Sequence, residues 1–370
     1  MKGMHGIVFS YERRNDLREL TERRAPASIP FGGRYRAVDF ALSNMVNAGI
    51  TDVGVVLHGR FQSLMDHLGT GKDWDLSRKR GGLKLLPCYV DTERRGDGEL
   101  RGKIDALIGI RSYLDTIRQD YVVMMDGDLV TNLPLTEVYE EHIRSGADIT
   151  CVCGDDCFAV ADGTYFEMDE TGKITDTLYH INQPRGRRSL EVHVLSRDLL
   201  ISLVDECATH DHYSFRRDVL QRKRDSLNIR AFVWKEYAAQ IRSVKEYYDR
   251  SMQLLQQSIR QELFCPDRPI RAKSSDEASS YIHPESHCRN SIVGDGCRIE
   301  GVVEDSILFP GVTVEKGAEV RGCVLFKGTH IGENAKLHHV IADKYVDICA
   351  ERTLMGHETY PMVVAKGSKI

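Results

Sequence analysis

The sequence has no apolar run long enough to span a bilayer, no two cysteines at CxxC spacing and no marked surplus of either charge. The first absence argues against a membrane protein, and Met1 to Arg14 carries too short an apolar stretch for a secretory signal. The second leaves the ten cysteines without a zinc or disulfide framework, so they are expected to be reduced and mostly buried. The closest group is Cys151, Cys153 and Cys157, of which the first two alternate on a β-rich stretch and share a face. With a formal net charge of −5, nothing recommends nucleic acid as a partner. These absences describe a cytoplasmic globular protein with neither membrane nor nucleic acid among its partners.

What is present is enough chain for two cores, since 370 residues exceed what one hydrophobic interior usually fills. The first two thirds alternate short apolar strands with amphipathic helices, the pattern of a layered α/β domain with a largely parallel sheet. Strands are expected at His5 to Phe9, Asp52 to Leu57 and Tyr121 to Met125. One helix is expected to carry Ile104, Leu107, Ile108, Leu114 and Ile117. Another carries Val244, Tyr247, Tyr248, Met252 and Leu255.

From residue 264 to 280 the pattern breaks into prolines, charges and serines, as a linker would, which divides the chain into 1–263, 264–280 and 281–370. Beyond the linker, aliphatic or small residues recur every six positions, as in Val312, Ala318 and Val324, in Val314, Val320 and Phe326, or in Ile331 and Leu337. Glycines punctuate the intervals. A period of six means one inward side chain per short strand, then a turn, with successive coils stacking into a continuous core. That is a parallel β-helix of hexapeptide repeats, whose open ends and flat sides favour oligomer contacts.

The stretch Ile29 to Asn44 reads IPFGGRYRAVDFALSN and resembles the signature PFGGKYRxIDFxLSN of the bacterial ADP-glucose pyrophosphorylases, or glucose-1-phosphate adenylyltransferases. Trp74-Asp75-Leu76, the run from Gly81-Gly82 to Leu86-Pro87 and Gly127-Asp128 follow in the family's order, so the resemblance spans nearly the whole chain. It implies a Rossmann-like nucleotidyltransferase domain over residues 1–263 and a left-handed β-helix over 281–370. In the family these join ATP and glucose 1-phosphate into ADP-glucose and pyrophosphate.

The resemblance also shows what is missing. Active members carry a GGxGxRL loop after the first strand, whose glycines let backbone N–H groups approach the phosphates. Here Tyr11 and Glu12 stand for the paired glycines, Arg14 for the third, and Asp16 for the arginine that neutralises the reacting phosphates. The lysine of the family's KPAVPF motif is Pro26. Losing a single electrostatic donor of this kind raises a barrier by about 2.7 to 4 kcal/mol, so several such losses should abolish turnover. The family's Mg²⁺ is held by two aspartates; Asp128 matches the first, but the second falls on Gln240, a poor ligand for a hard cation. The sugar-phosphate motif EKP is unrecognisable around Tyr179 to Pro184. No catalytic residues, cofactor or bound metal are therefore expected; an alternative in which Arg13 and Arg14 restore phosphate binding leaves Tyr11 and Glu12 in the space glycines would open.

Arg23 and Arg24 match basic positions of the family's allosteric anion site between the two domains, and Arg36 lies in the same region. Forked guanidinium donors suit a phosphorylated effector, although Glu22-Arg23-Arg24 also reads as a solvated face. Trp74 lies in a loop that in the family couples effector binding to the active site, or is simply a packed aromatic. The expected function is a regulatory, non-catalytic subunit of glycogen biosynthesis, paired with a catalytic subunit in a hetero-oligomer, with a tetramer as the expected assembly. Two alternatives are a stand-alone sensor of sugar phosphates or sugar nucleotides and a hexapeptide acyltransferase using His330, His338 or His339.

Overall fold

The computed structural model describes residues 3–10, 16–88, 100–154, 163–179, 185–274 and 276–370. Tyr11, Glu12, Arg13 and Arg14, together with Cys157 and 180–184, lie outside the described residues.

The first domain is built on β1 (Met4–Ser10), β2 (Asp52–Leu57), β3 (Gly82–Pro87), β4 (Tyr121–Asp126), β5 (Ile149–Gly154), β6 (Thr164–Met168), β7 (Ile174–Tyr179), β8 (Arg187–Ser196) and β9 (Ile229–Trp234). Strand β1 is buried along its whole length, which is why it reads as an apolar run rather than an alternating one. It pairs in parallel with β2 and β4, and β2 with β3. The expectation of a largely parallel sheet needs correcting. Strand β8 runs antiparallel to β4, β5 and β6, and β6 and β7 form an antiparallel pair. The long β8 is the pivot between the two halves of the sheet, and its register slips between Ser189 and Val192.

Four helices matter for the site: α1 (Ala37–Asn47), α2 (Lys103–Gly109), α3 (Arg111–Leu114) and α4 (Val244–Gln253). The single helix expected to run through Ile104 and Ile117 is two, α2 and α3, broken at Ile110 (φ −113°, ψ 19°) just after Gly109. Glycine is a weak helix former, and the break lets Ile110, Leu114 and Ile117 still reach the core. Helix α4 starts where the Ser243 hydroxyl accepts from the Glu246 N–H, and it buries Val244, Tyr247 and Tyr248.

The C-terminal part is a three-sided parallel β-helix whose faces each stack five short strands. Ile299, Val314, Ile331 and Ile348 lie in register on one face, and Val303, Val320, Leu337 and Leu354 on the next. Side chains six apart in sequence, such as Val314 and Val320, therefore occupy successive faces, while the vertical ladders join whole coils. All are buried.

The two parts share a core. Phe31, Phe40, Tyr247 and Leu254 pack with Ile307, Phe309, Val324, Phe326 and Ile341 of the β-helix. The Tyr247 hydroxyl donates to the Pro30 carbonyl (2.9 Å) and that of Tyr248 to the Gly322 carbonyl (2.7 Å), with His339 Nδ1 also 2.7 Å from Tyr248. An apolar junction of this kind holds two parts in one orientation rather than letting them swing.

Candidate functional site

Two places gather polar chemistry: a cleft over the carboxyl ends of β1 and β4, and the seam between the two domains.

The cleft has a volume of about 510 Å³ and is lined by Asp16, Pro26, Asp128 and Arg242 among others. Thus Asp16 and Pro26, the two described positions where the family has cations, do face it. Asp16 is exposed and Pro26 is buried at the first position of a 3-10 turn. Asp128, half-buried, follows β4 in the turn that leads to the short strand Leu129–Thr131. That strand pairs with Ala238–Gln240, placing Gln240 opposite Leu129, and the Ile241 N–H donates to the Asp128 carbonyl. The structure therefore brings Gln240 beside Asp128, as spacing suggested. The Gln240 side chain is buried, and its Oε1 accepts from Arg188 Nη2 at 3.1 Å. Instead of a second carboxylate, this position presents a neutral amide with a buried guanidinium on its oxygen. The residues do not fit the family's Mg²⁺ site, since the one amide oxygen offered is already taken by a guanidinium, whose positive charge repels a divalent cation. Among the described residues no group of three or more His, Cys, Asp or Glu is placed to hold a metal ion.

The floor of the cleft holds three residues that sequence reasoning missed. Lys103, at the start of α2, is only 3% exposed, and its Nζ lies 3.0 Å from Asp126 Oδ1 and 3.0 Å from Glu191 Oε2. Thr164 Oγ1 donates to the other Glu191 oxygen at 3.0 Å. Glu191 has φ +57°, a left-handed conformation that a non-glycine residue adopts at a penalty of about 1 to 2 kcal/mol. It sits at the register slip of β8, where the bulge aims its carboxylate at Lys103. His193, two residues on, is fully buried beside Cys151 and Phe215, and burial holds its pKa below the usual imidazole value. It is a neutral core histidine. The sequence did carry a signal, a glutamate and a histidine inside the otherwise apolar run Leu190 to Leu195, but nothing in it links that run to Lys103.

The rim of the cleft carries arginines on aromatic rings. Arg101 and Arg217 lie 4.4 and 4.5 Å from the centre of the Tyr213 ring, and Arg216 lies 5.0 Å from that of Tyr179. Arg101 is also paired to Asp105 and Asp211, and Arg217 to Asp218.

The seam is organised differently. Gly32 (φ +63°) and Gly33 (φ +77°) turn the chain between Pro30–Phe31 and Tyr35–Arg36. A Cβ on Gly33 would come within 3.0 Å of Ile292 of the β-helix. The signature glycines thus seat one domain on the other and deliver Arg36 to the seam. Arg36 caps α1, its N–H donating to Asp39, while its Nη1 donates to Ser28 Oγ (2.5 Å) and to Ser63 O (2.7 Å). Arg24, 3% exposed, donates through Nη2 to both oxygens of the buried Asp343 of the β-helix, at 2.8 and 2.9 Å. Its Nη1 is buried with no hydrogen-bond partner among the described residues. Next to Asp343, burial and the facing Arg36 and Arg24 bring the Lys344 ammonium down to about 7. Burial likewise lowers Arg36 to about 10, against the pull of Asp39. Arg23 is exposed. Of the three arginines expected at an anion site, the structure brings Arg24 and Arg36 together, adds Lys344, and leaves Arg23 outside.

Trp74 is fully buried against His67, at a ring distance of 5.5 Å. His67 in turn meets Asp39 at 2.6 Å, one residue set away from Arg36. On the β-helix, His330 pairs with Asp347 (2.9 Å) and His339 with Tyr248, so both hold coils or domains together. No helix among the described residues is long and apolar enough to cross a membrane.

Comparison with known proteins places this geometry. Residues 15–177 match the nucleotidyl transferase family model, and residues 276–360 the GlmU-like C-terminal hexapeptide model, so the three-sided coil is a left-handed β-helix. The chain is 34% identical to the glycogen biosynthesis protein GlgD of Bacillus subtilis, over 98% of this chain and 96% of the relative. It is 34% identical to GlgD of Geobacillus stearothermophilus, over 86% of this chain and 82% of that one. To the glucose-1-phosphate adenylyltransferase of Thermotoga neapolitana it is 30% identical, over 82% and 72% respectively. With the fold, the order of its motifs and these full-length matches in agreement, the chain belongs to the family that unites the GlgD proteins with the glucose-1-phosphate adenylyltransferases.

Proposed function

We propose that this chain acts in glycogen biosynthesis, in the cytoplasm, as a non-catalytic subunit. It associates with a catalytic glucose-1-phosphate adenylyltransferase in a hetero-oligomer, most simply a tetramer, and modulates ADP-glucose formation. The observation that supports this reading is the state of the cleft beside that of the seam. In the cleft, Asp16 and Pro26 replace cations, and buried behind it Gln240, bonded to Arg188, stands where the family has its second metal-binding carboxylate. Transfer of a nucleotidyl group depends on placing positive charge around phosphates, and these replacements remove it. In the seam, Arg24 pairs with Asp343, and Arg36 and Lys344 add positive charge close by. A phosphorylated effector fits such an excess of cations, and one bound there would act on the junction both domains share.

The test is to assay ADP-glucose synthesis by this chain, by a catalytic homologue and by their mixture, with co-purification of the two. This chain alone should give no product, the two should co-elute, and the mixture should differ from the homologue alone in rate or effector response. Product from this chain alone, or a mixture indistinguishable from the homologue, would sink the proposal. The rim of stacked arginines supports a second reading, a stand-alone sensor for sugar phosphates. Saturable binding of glucose 1-phosphate to the isolated chain, unchanged by a partner, would favour it.

A further inference from the structure

The buried ions of the cleft floor carry a more specific conclusion. Lys103 and Arg188 are 3% and 2% exposed, and of the two it is Lys103 that meets carboxylates. Lys103 is not an incidental neighbour, because its ammonium bridges two acidic groups from different strands, Asp126 at the end of β4 and Glu191 in the bulge of β8, at equal distances of 3.0 Å. Glu191 reaches it only by holding a left-handed backbone, and Thr164 fixes its second oxygen. Strain kept at a buried position, with the side chain fully committed, indicates that the contact is what maintains it. On the other side of Asp128, Arg188 holds the amide oxygen of Gln240.

We propose that Lys103 is a tethered counter-ion that occupies the place a cation would take between Asp126 and Glu191, so that the cleft floor is closed to a divalent metal. An ammonium between two carboxylates takes the position a cation would occupy there and cancels one of the two negative charges. Unlike the ion it does not dissociate, and it leaves no coordination position open to a phosphate. Asp126 and Glu191 thus become a latent cation site that Lys103 blocks. The inference concerns this chain alone. Its failure would leave the partner-dependent regulation standing, and failure of that regulation would leave this inference standing.

The experiment is a titration of the full chain with Mn²⁺, followed by the paramagnetic resonance of the free ion. The parent should bind no Mn²⁺ with a dissociation constant below about 1 mM, the weak end of protein sites for hard divalent cations. Lys103→Ser should gain one site, at least about tenfold tighter than any in the parent, because one unit of repulsive charge is gone and two carboxylates are uncovered. Lys103→Ser with Glu191→Gln should lose that site, and Lys103→Arg should stay metal-free. Mn²⁺ binding by the parent that Asp126→Asn or Glu191→Gln abolishes would overturn the proposal. So would a folded Lys103→Ser variant, by circular dichroism, with no gained site. If Lys103→Ser does not fold, the parent titration and its Asp126→Asn control decide the matter.

Discussion

The cleft and the seam both gather basic side chains but treat them in opposite ways. On the cleft floor Lys103 has two acidic partners, and on the rim Arg101 has two and Arg217 one. In the seam, Arg24 holds Asp343 while Arg36 and Arg24 both face Lys344, and neither an ion pair nor a side-chain hydrogen bond of the Lys344 ammonium is present among the described residues. A site whose charges cancel internally has little to offer a phosphate. A site that concentrates positive charge at the expense of its own stability is poised for an anion, because the ligand would relieve the repulsion. On the proposed function, the comparison separates a cleft closed to chemistry from a seam open to an anion.

The strongest way to break the comparison is Arg24→Ala. It would leave Asp343 buried without its partner and should destabilise the chain by about 3 to 5 kcal/mol, measured by chemical denaturation. Arg24→Ala with Asp343→Ala should recover much of that loss. A single-variant loss under about 1 kcal/mol would mean that this pair does not anchor the seam.

A sharper, intermediate test uses pH. Lys344 is brought from 10.5 to about 7, so within that window the unfolded chain keeps a proton that the folded chain has shed. The contribution of this group to stability therefore rises with pH across the window. A bound anion holds the proton on. Sulfate or phosphate should therefore raise the melting temperature most below pH 7, less as pH climbs through that value, and hardly at all in Lys344→Met. Anion stabilisation that is independent of pH, or unaffected by Lys344→Met, would remove Lys344 from the site.

The smallest expected effect belongs to Arg23→Ala. This side chain is exposed, so stability should change by no more than about 0.5 kcal/mol. The sulfate-induced shift should survive. Loss of that shift would restore Arg23 to the site and redraw the boundary of the seam.

Much of the scaffold was legible because it repeats or follows one face. The six-residue ladders of the β-helix, the apolar run of β1 and the stripe of Val244, Tyr247 and Tyr248 report their own burial through sequence spacing alone. The backbone neighbourhood of Asp128 and Gln240 follows from two short strands that pair, with Gln240 opposite Leu129. The direction of β8 was not legible, because an apolar strand reads the same whichever way it runs. Lys103, Asp126 and Glu191 were not legible either. They come from three separate elements, and the feature that unites them, a positive φ at Glu191, leaves no trace in a residue that is not glycine. Lys344 escaped notice for the opposite reason. It lies in an ordinary polar turn, Ala342-Asp343-Lys344-Tyr345, whose importance comes entirely from what the other domain places against it.

The strained glutamate on the cleft floor has a consequence for how such a protein can change. Replacing Glu191 with glycine would relax the backbone but strip a buried lysine of one counter-charge, while replacing Lys103 would leave two acids facing each other. Each single step passes through a less stable chain, so the way back to an open cleft runs only through coordinated changes at several positions. The floor works as a ratchet: once the three residues are in place together, drift can alter the rim freely and still leave the floor shut.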